Sequence, residues 1–422
     1  MDNGRREQWD VASGANVGAE TGLDLQRLIR LRRDLHAHPE LKFEEHRTSR
    51  KVVAFLEALG LPVRVGLAQT GVVATVFGQG RGPANPGRAI GLRADMDALL
   101  IHELNAFDHA STCEGKMHAC GHDGHTAMLL GAAELLARHR EFDGTVHLIF
   151  QPGEEGGAGA QKMIDEGLFR EFPCDAVFAL HNWPKLPAGE MAVRAGPIMA
   201  ASRRFEIRIA GRGGHAAQPH LTIDPIPVAC ALVGQLQTLV SRRIDPLDSA
   251  VLSVTRIDGG TNFNVIPESA VIYGTCRALG TQVADEVCRG LERMAQHVAA
   301  AHETTAEVIY HPGYPATEND PEAAAFMGSV MREMVGENKA HSNRPPSMGA
   351  EDFSFMLQAV PGAYGWIGNG PAHGDGVPLH NANYDFNDNN LSVGARFWSL
   401  LVRRWFASAP AVTSSSPAPA SL

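Results

Sequence analysis

The chain lacks an excess of positive charge. It carries 37 Lys and Arg against 47 Asp and Glu, a formal net charge of −10 over 422 residues. That balance argues against nucleic acid or an anionic membrane as a partner. It lacks any apolar run of transmembrane length. The first residues, Met1 to Glu7, hold no apolar segment of the secretory kind, so a cytoplasmic location is expected. Cysteines are few: six, at 113, 120, 174, 230, 276 and 288, scattered without a pairing pattern. Free thiols in a reducing compartment are the corresponding expectation. What remains is ordinary globular composition, 44% hydrophobic and 20% charged, in a chain long enough for two or three domains.

Against that background one stretch stands out. Met117–His125 packs three histidines, one cysteine and one aspartate into nine residues. No core or turn needs that mixture. The apolar run after it, Thr126 to Leu136, reads as a helix with Asp123 as its N-cap, which leaves the polar residues on the loop entering the helix. Cys120 and His122 are two residues apart and can turn towards one metal ion. His118 and His125 are expected to support the ligands or face the helix.

In chain order, a polar leader (1–22) is expected to be disordered. Apolar stripes then predict helices over 23–36 and 44–59. Between them, Pro39 forces a turn after His36 and His38, and a structural role is expected for that histidine pair. Strands are predicted at Val72–Phe77, Ala89–Arg93, Thr145–Phe150 and Ala176–Leu180, with helices over 126–139 and 158–167. This is an α/β pattern with a mostly parallel sheet. Three of the strands place Asp95 and Asp97, Glu154 and Glu155, or His181 just past their carboxyl ends, where open α/β sheets bind ligands.

From Pro197 the pattern changes. Arg204–Ile209 alternates as a half-exposed strand does. A helix over 224–242, strands at 250–257 and 269–277, a helix over 283–302 and a strand at 305–310 give the order βαββαβ of a ferredoxin-like domain. The division expected is therefore a discontinuous catalytic domain, 23–196 and 312–406, an inserted domain, 197–311, and a disordered tail, 407–422.

The candidate ligands are Cys120, His122, one of Glu154 and Glu155, His181 and His380. Adjacent carboxylates repel unless something positive lies between them. A metal cluster resolves this: one Glu binds and the other stays free as a general base beside a water whose pKa falls from ~15.7 towards ~7. Five ligands suit two ions about 3.5–4 Å apart. A lone Glu-Glu is usually a solvated loop, a lone Cys a small buried hydrophobe, and a loop histidine such as His109 unremarkable. The coincidence of all of them at the strand ends of one sheet favours a metal hydrolase.

These motifs resemble the M20 family of metal-dependent amidohydrolases and peptidases, in its hippurate hydrolase and N-acyl-amino-acid amidohydrolase branch. The matching text is Leu35–Leu41, Leu92–Leu99, Met117–Thr126, Gln151–Gly157, Ala179–Asn182, Gly211–His220, Gly259–Pro267, Gly349–Phe353 and the segment around His380, spread over 23–405. The resemblance implies Cys120, His122, Glu155, His181 and His380 as metal ligands and Glu154 as general base. It also implies two divalent ions, often manganese or zinc and also nickel or cobalt, and an inserted lid that forms homodimers. His215 falls where a lid histidine steadies the oxyanion, in some relatives that of the partner subunit. Asn264 and Arg277 fall where the substrate carboxylate is held, and Asp97 where an acid orients a ligating histidine. The implied reaction is hydrolysis of an N-acyl-amino acid to a carboxylate and a free amino acid.

One departure is local. Where the family has Pro-Ile-x-Glu after Asp97-Ala98-Leu99, this chain has Leu100-Ile101-His102-Glu103, and 104–109 is also atypical. The alternatives are a di-metal dipeptidase or aminopeptidase, which needs recognition of a free amine, and a non-catalytic metal-binding dimer, which has no use for a spare Glu154. A redox role for Cys120 lacks a resolving cysteine nearby.

Overall fold

The computed structural model describes residues 22–408 apart from Ala372 and Asp375. The expected leader (1–22), but for Gly22, and most of the expected tail (407–422) lie outside the described residues. In chain order the elements are α1 (Leu25–Ala37), α2 (His46–Ala58), β1 (Val63–Leu67), β2 (Gly71–Phe77), β3 (Ala89–Asp95), α3 (His122–Arg138), β4 (Thr145–Gln151), β5 (Ala176–Pro187), β6 (Met191–Ala192), β7 (Ala201–Ala210), α4 (Pro225–Arg243), β8 (Ala250–Gly259), β9 (Ser269–Ala278), α5 (Thr281–Ala301), β10 (Ala306–His311), α6 (Pro321–Val335), β11 (Ala340–His341), α7 (Phe353–Ala359), β12 (Gly362–Gly370) and α8 (Asn389–Ala407). Shorter strands and turns of helix fill the gaps.

The larger sheet has eight strands in the order β1-β2-β4-β3-β5-β12-β6-β11. Its centre, β4-β3-β5-β12, is parallel, while β1, β2 and the β12-β6 pairing are antiparallel. The architecture is thus α/β with a mixed, mostly parallel sheet. Central strands covered on both faces need apolar residues at successive positions. Val146, Leu148 and Phe150 face one core with α3 and α8, whereas Ile149 faces a second core with Met163, Phe353 and Met356. α3 is buried along nearly its whole length, which holds its N-terminus rigidly against the sheet's carboxyl edge.

Residues 201–311 build a second, antiparallel sheet in the order β8-β9-β7-β10, with α4 and α5 on one face. Phe205, Ile207 and Ile209 of β7 meet Leu232 and Leu236 of α4 and Leu291 of α5 there. The chain leaves and re-enters the larger unit at one place: Ser202 N–H donates to Tyr314 O at 2.8 Å, and Tyr314 N–H to Ser202 Oγ at 3.0 Å.

Two sequence expectations are corrected. The helix after the histidine-rich loop begins at His122, with Gly121 as N-cap, so Asp123 lies inside the first turn. Gly121 has φ 86°, and a Cβ there would collide with Asn182 and Tyr384. Asp123 is instead held by His36 and Arg32. His181 does not follow a strand end. β5 runs on to Pro187 because its parallel pairing with β12 continues past Trp366 opposite His181. The helix expected over 158–167 is present as Gly159–Asp165, with left-handed Ala158 as its N-cap; a separate short turn, Glu154–Gly157, precedes it.

Candidate active site and metal centre

The carboxyl edge of β3, β4 and β5 gathers the chemistry. Asp97, two residues past β3, is buried. Its Oδ1 lies 3.2 Å from His122 Nδ1, and its two oxygens accept the main-chain N–H groups of Glu154 (3.1 Å) and Glu155 (2.8 Å). One carboxylate therefore sets both the His122 ring and the Glu154-Glu155 turn. Left-handed Gly153 and Gly156 flank that turn and let its two side chains diverge.

Cys120, His122 and Glu155 present ligand atoms within 4.8 Å of one another. Cys120 Sγ is 3.5 Å from His181 Nε2, and His380 Nε2 is 3.1 Å from Glu155 Oε1. The other nitrogen of His181 is committed to Asn182 O at 2.7 Å, which leaves Nε2 for the cluster. His380 reaches the site from a loop with φ 62°, rare for a residue with a side chain, and its N–H is fixed by Ala119 O at 2.8 Å. The structure thus brings all five expected ligands together.

The donor set fits a metal. His122 Nε2 is buried without a hydrogen-bond partner, an expensive arrangement unless an ion fills it. The charges point the same way. Burial, then Glu155 and Glu154, push the Cys120 thiol well above its usual range. Burial opposes charge on His122, but Asp95 and Asp97 outweigh it and raise the ring to about 10. The ring proton shares with Arg93 the task of offsetting these acids, and a bound cation takes over the proton's part by displacing it.

Glu154 is different. It is only 6% exposed, and its Oε1 accepts from Asp352 N–H at 3.3 Å. Burial first, then Glu351, Glu155, Asp352 and Asp97, push its carboxyl well above the ordinary carboxylate range. A buried carboxyl beside a metal-type cluster, poised to exchange a proton, is what general acid–base work requires.

Reading the sequence singled out Asp97 but not Arg93 or the acids gathered round it. Arg93, fully enclosed in β3, holds Asp95 (2.8 Å), Glu351 (2.9 Å) and Asp352 (3.0 Å), and donates to Gln151 at 2.8 Å. Its signal was a charged residue inside an apolar strand. Glu351-Asp352 is a second adjacent acid pair, open to the argument applied to Glu154-Glu155. His125 is bonded to Asp95 Oδ1 (2.6 Å) and accepts from Asn182 N–H (2.9 Å), next to the candidate ligand His181. His118 is buried with neither ring nitrogen partnered. His36, expected to be structural, is buried between Asp123 (2.9 Å) and Glu103 (3.2 Å). His109, expected to be unremarkable, contacts Asp385 and Arg32.

A cleft of about 480 Å³ opens above the cluster. Trp183, Met199, Tyr364 and Leu379 supply apolar wall, and Arg277 of β9 reaches it from the smaller sheet. Trp183 stacks on Trp366 with ring centroids 4.2 Å apart. His215 and Asn264 are not among the residues lining this cleft. They lie together on an exposed two-stranded ribbon, where Val265 pairs with His215 and Ala216 N–H donates to Asn264 O.

Fold and site together define a hydrolase with a metal-binding centre. The chain belongs to Peptidase family M20/M25/M40, whose model it matches over residues 91–404. It is 41% identical to the IAA-amino acid hydrolase ILR1-like 4 of Arabidopsis thaliana, over 92% of this chain and 87% of that one. It is 38% identical to the hippurate hydrolase of Campylobacter jejuni, over 91% and 98%. Its structure is similar to that of the Bacillus subtilis YXEP protein, a dinuclear metal-binding peptidase of the M20 family. The TM-score is 0.77 at 34% identity, over 90% of this chain and 98% of that one.

Proposed function

We propose that this protein hydrolyses the amide bond of N-acyl-amino acids, releasing a carboxylate and a free amino acid. The observation that carries the reading is Glu154, a spare buried carboxyl beside five potential ligands. The similarity to hydrolases named for IAA-amino acids and for hippurate supports it.

In this reading Cys120, His122, Glu155, His181 and His380 hold two divalent ions, manganese or zinc, with nickel or cobalt as further members of the set. When bound, the ions polarise the amide carbonyl and lower the pKa of water. Glu154 accepts the proton of the attacking water at its carboxylate and delivers it to the leaving amine. Asp97 keeps His122 in the tautomer that frees Nε2. The Trp183 wall receives the acyl group, and Arg277 holds the amino acid's carboxylate. Residues 197–311 act as a lid through which two chains pair. His215 and Asn264, outside their own cleft, then serve the partner's, His215 on the oxyanion and Asn264 on the substrate carboxylate. The location is cytoplasmic.

The test measures metal content and release of amino acid from acetyl-, benzoyl- and indole-acetyl-amino acids and from dipeptides, for metal-free protein and after adding manganese or zinc. About two ions per chain and metal-dependent release support the reading. Release from dipeptides alone makes the protein a dipeptidase. Metal without turnover on any substrate makes it a binding protein.

A further inference from the structure

The four strands of the smaller sheet carry five arginines. Three have acids: Arg203 pairs with Asp285, Arg208 with Glu206, and Arg256 with Asp258. Arg204 and Arg277 do not. Arg204 Nη2 donates to Pro312 O at 3.1 Å, and Arg277 Nη1 donates to Thr275 Oγ1 and to Cys276 O. Neither makes an ion pair among the described residues. These two are also the arginines that line the cleft.

Their placement follows from the register. Arg204 pairs with Thr275, and Ser202 with Arg277, across antiparallel β7 and β9. Residues two apart share a face, so Arg204 and Arg277 are diagonal neighbours on one face, about 7–8 Å apart at Cα. Two like charges at that spacing repel. Burial lowers the Arg277 pKa, and Arg204 lowers it further. The acids lining the cleft, Glu154, Glu155 and Glu351, all belong to its floor. The upper wall thus carries a pair of cations to which no carboxylate among the described residues is paired.

A single substrate carboxylate engages one guanidinium in a forked pair and leaves the other uncompensated. We propose that the preferred substrates are N-acyl derivatives of acidic amino acids, aspartate or glutamate, with Arg277 on the α-carboxylate and Arg204 on the side-chain carboxylate. The two carboxylates of such a residue are separated by two or three carbons, a span that two diagonal arginine side chains bracket. This rests on the N-acyl-amino-acid reading above and adds to it which amino acid is favoured.

The test compares kcat/KM for N-acetyl-glutamate and its isostere N-acetyl-glutamine, using the metal-loaded full chain and its Arg204→Gln variant. A hydrogen-bonded charge pair predicts a wild-type preference for glutamate of roughly 10- to 100-fold, carried mainly by KM. In Arg204→Gln the ratio collapses towards one, while metal content and melting temperature match the wild type. Equal wild-type rates on the pair, or a variant with both rates reduced and the ratio kept, overturn the assignment; the second result means that both arginines share the α-carboxylate. Turnover of both acetyl substrates with no preference leaves the broader reading standing. No release from any N-acyl-amino acid removes both.

Discussion

The phenol of Tyr314 donates a hydrogen bond to the main-chain carbonyl of Glu154. Ala158 N–H donates to the same phenol oxygen at 3.3 Å. Tyr314 sits on the segment that returns from the smaller sheet, so the Glu154-Glu155 turn is pinned by the link between the two sheets. Tyr314→Phe removes the pin with little loss of volume. The expected result is a fall in kcat, by up to about 10²-fold if Glu154 shifts, with KM and metal content nearly unchanged. A parallel loss of metal would mean that the phenol supports the ligands instead.

Glu154→Gln removes the proposed base and keeps the shape. Turnover should drop by about 10²–10⁴-fold, with the metal stoichiometry of the wild type. Cys120→Ala should lose metal as well as turnover. Full activity in Glu154→Gln would dismiss the role assigned to this residue.

Arg93 is the hub of a buried charge network. Replacing it by Met leaves Asp95, Glu351 and Asp352 without their shared cation. Breaking buried pairs from one side costs about 3–5 kcal/mol. Urea unfolding should show a midpoint lowered by that loss divided by the slope, with the slope itself unchanged.

His36 gives a pH signature. Burial opposes its charge, but Asp123 and Glu103 overcome this and raise the ring to about 9. Arg32 and His109 also face it, with His118 across the ring. The folded value lies above the ordinary 6.5. The contribution is therefore complete below pH 6.5 and is lost as pH rises through about 9. Unfolding free energy measured at pH 7 and pH 10 should fall more steeply in the wild type than in His36→Gln, by on the order of 2 kcal/mol.

His215 offers a check on chain pairing. Mixed and refolded together, His215→Ala and Glu154→Gln chains should regain about a quarter of wild-type activity, because half the dimers contain one site with both residues intact. Activity no greater than the sum of the separate variants would place His215 outside catalysis, or at its own chain's cleft.

How much was legible in the sequence follows from how local each signal is. β3, β4 and β5 read plainly because strands buried on both faces are nearly continuous apolar runs. β1 went unread: Arg64, Val65 and Gly66 are exposed on an edge, and nothing in their pattern requires a sheet. The candidate ligands stood out because Cys120, His122 and the Glu154-Glu155 pair are dense and contiguous. Arg93 did not, because it meets Glu351 from 258 positions away, and charge balance across such a distance is a property of the folded chain alone. Asp123 was misplaced for a related reason. A residue that looks like a cap was claimed by Arg32 and His36 from a helix packed behind it.

The clasp between Ser202 and Tyr314 has a topological consequence. To the eight-stranded sheet, about 110 intervening residues count as one tight turn, since their two ends are held side by side. The entropy of closing so long a loop is met by the strand pairing of the smaller sheet and asks nothing of the metal site. That segment is therefore interchangeable in principle. A few residues bridging Ser202 to Tyr314 would leave the ligand cluster where it is, while a foreign insert with adjacent ends could replace the whole roof of the cleft.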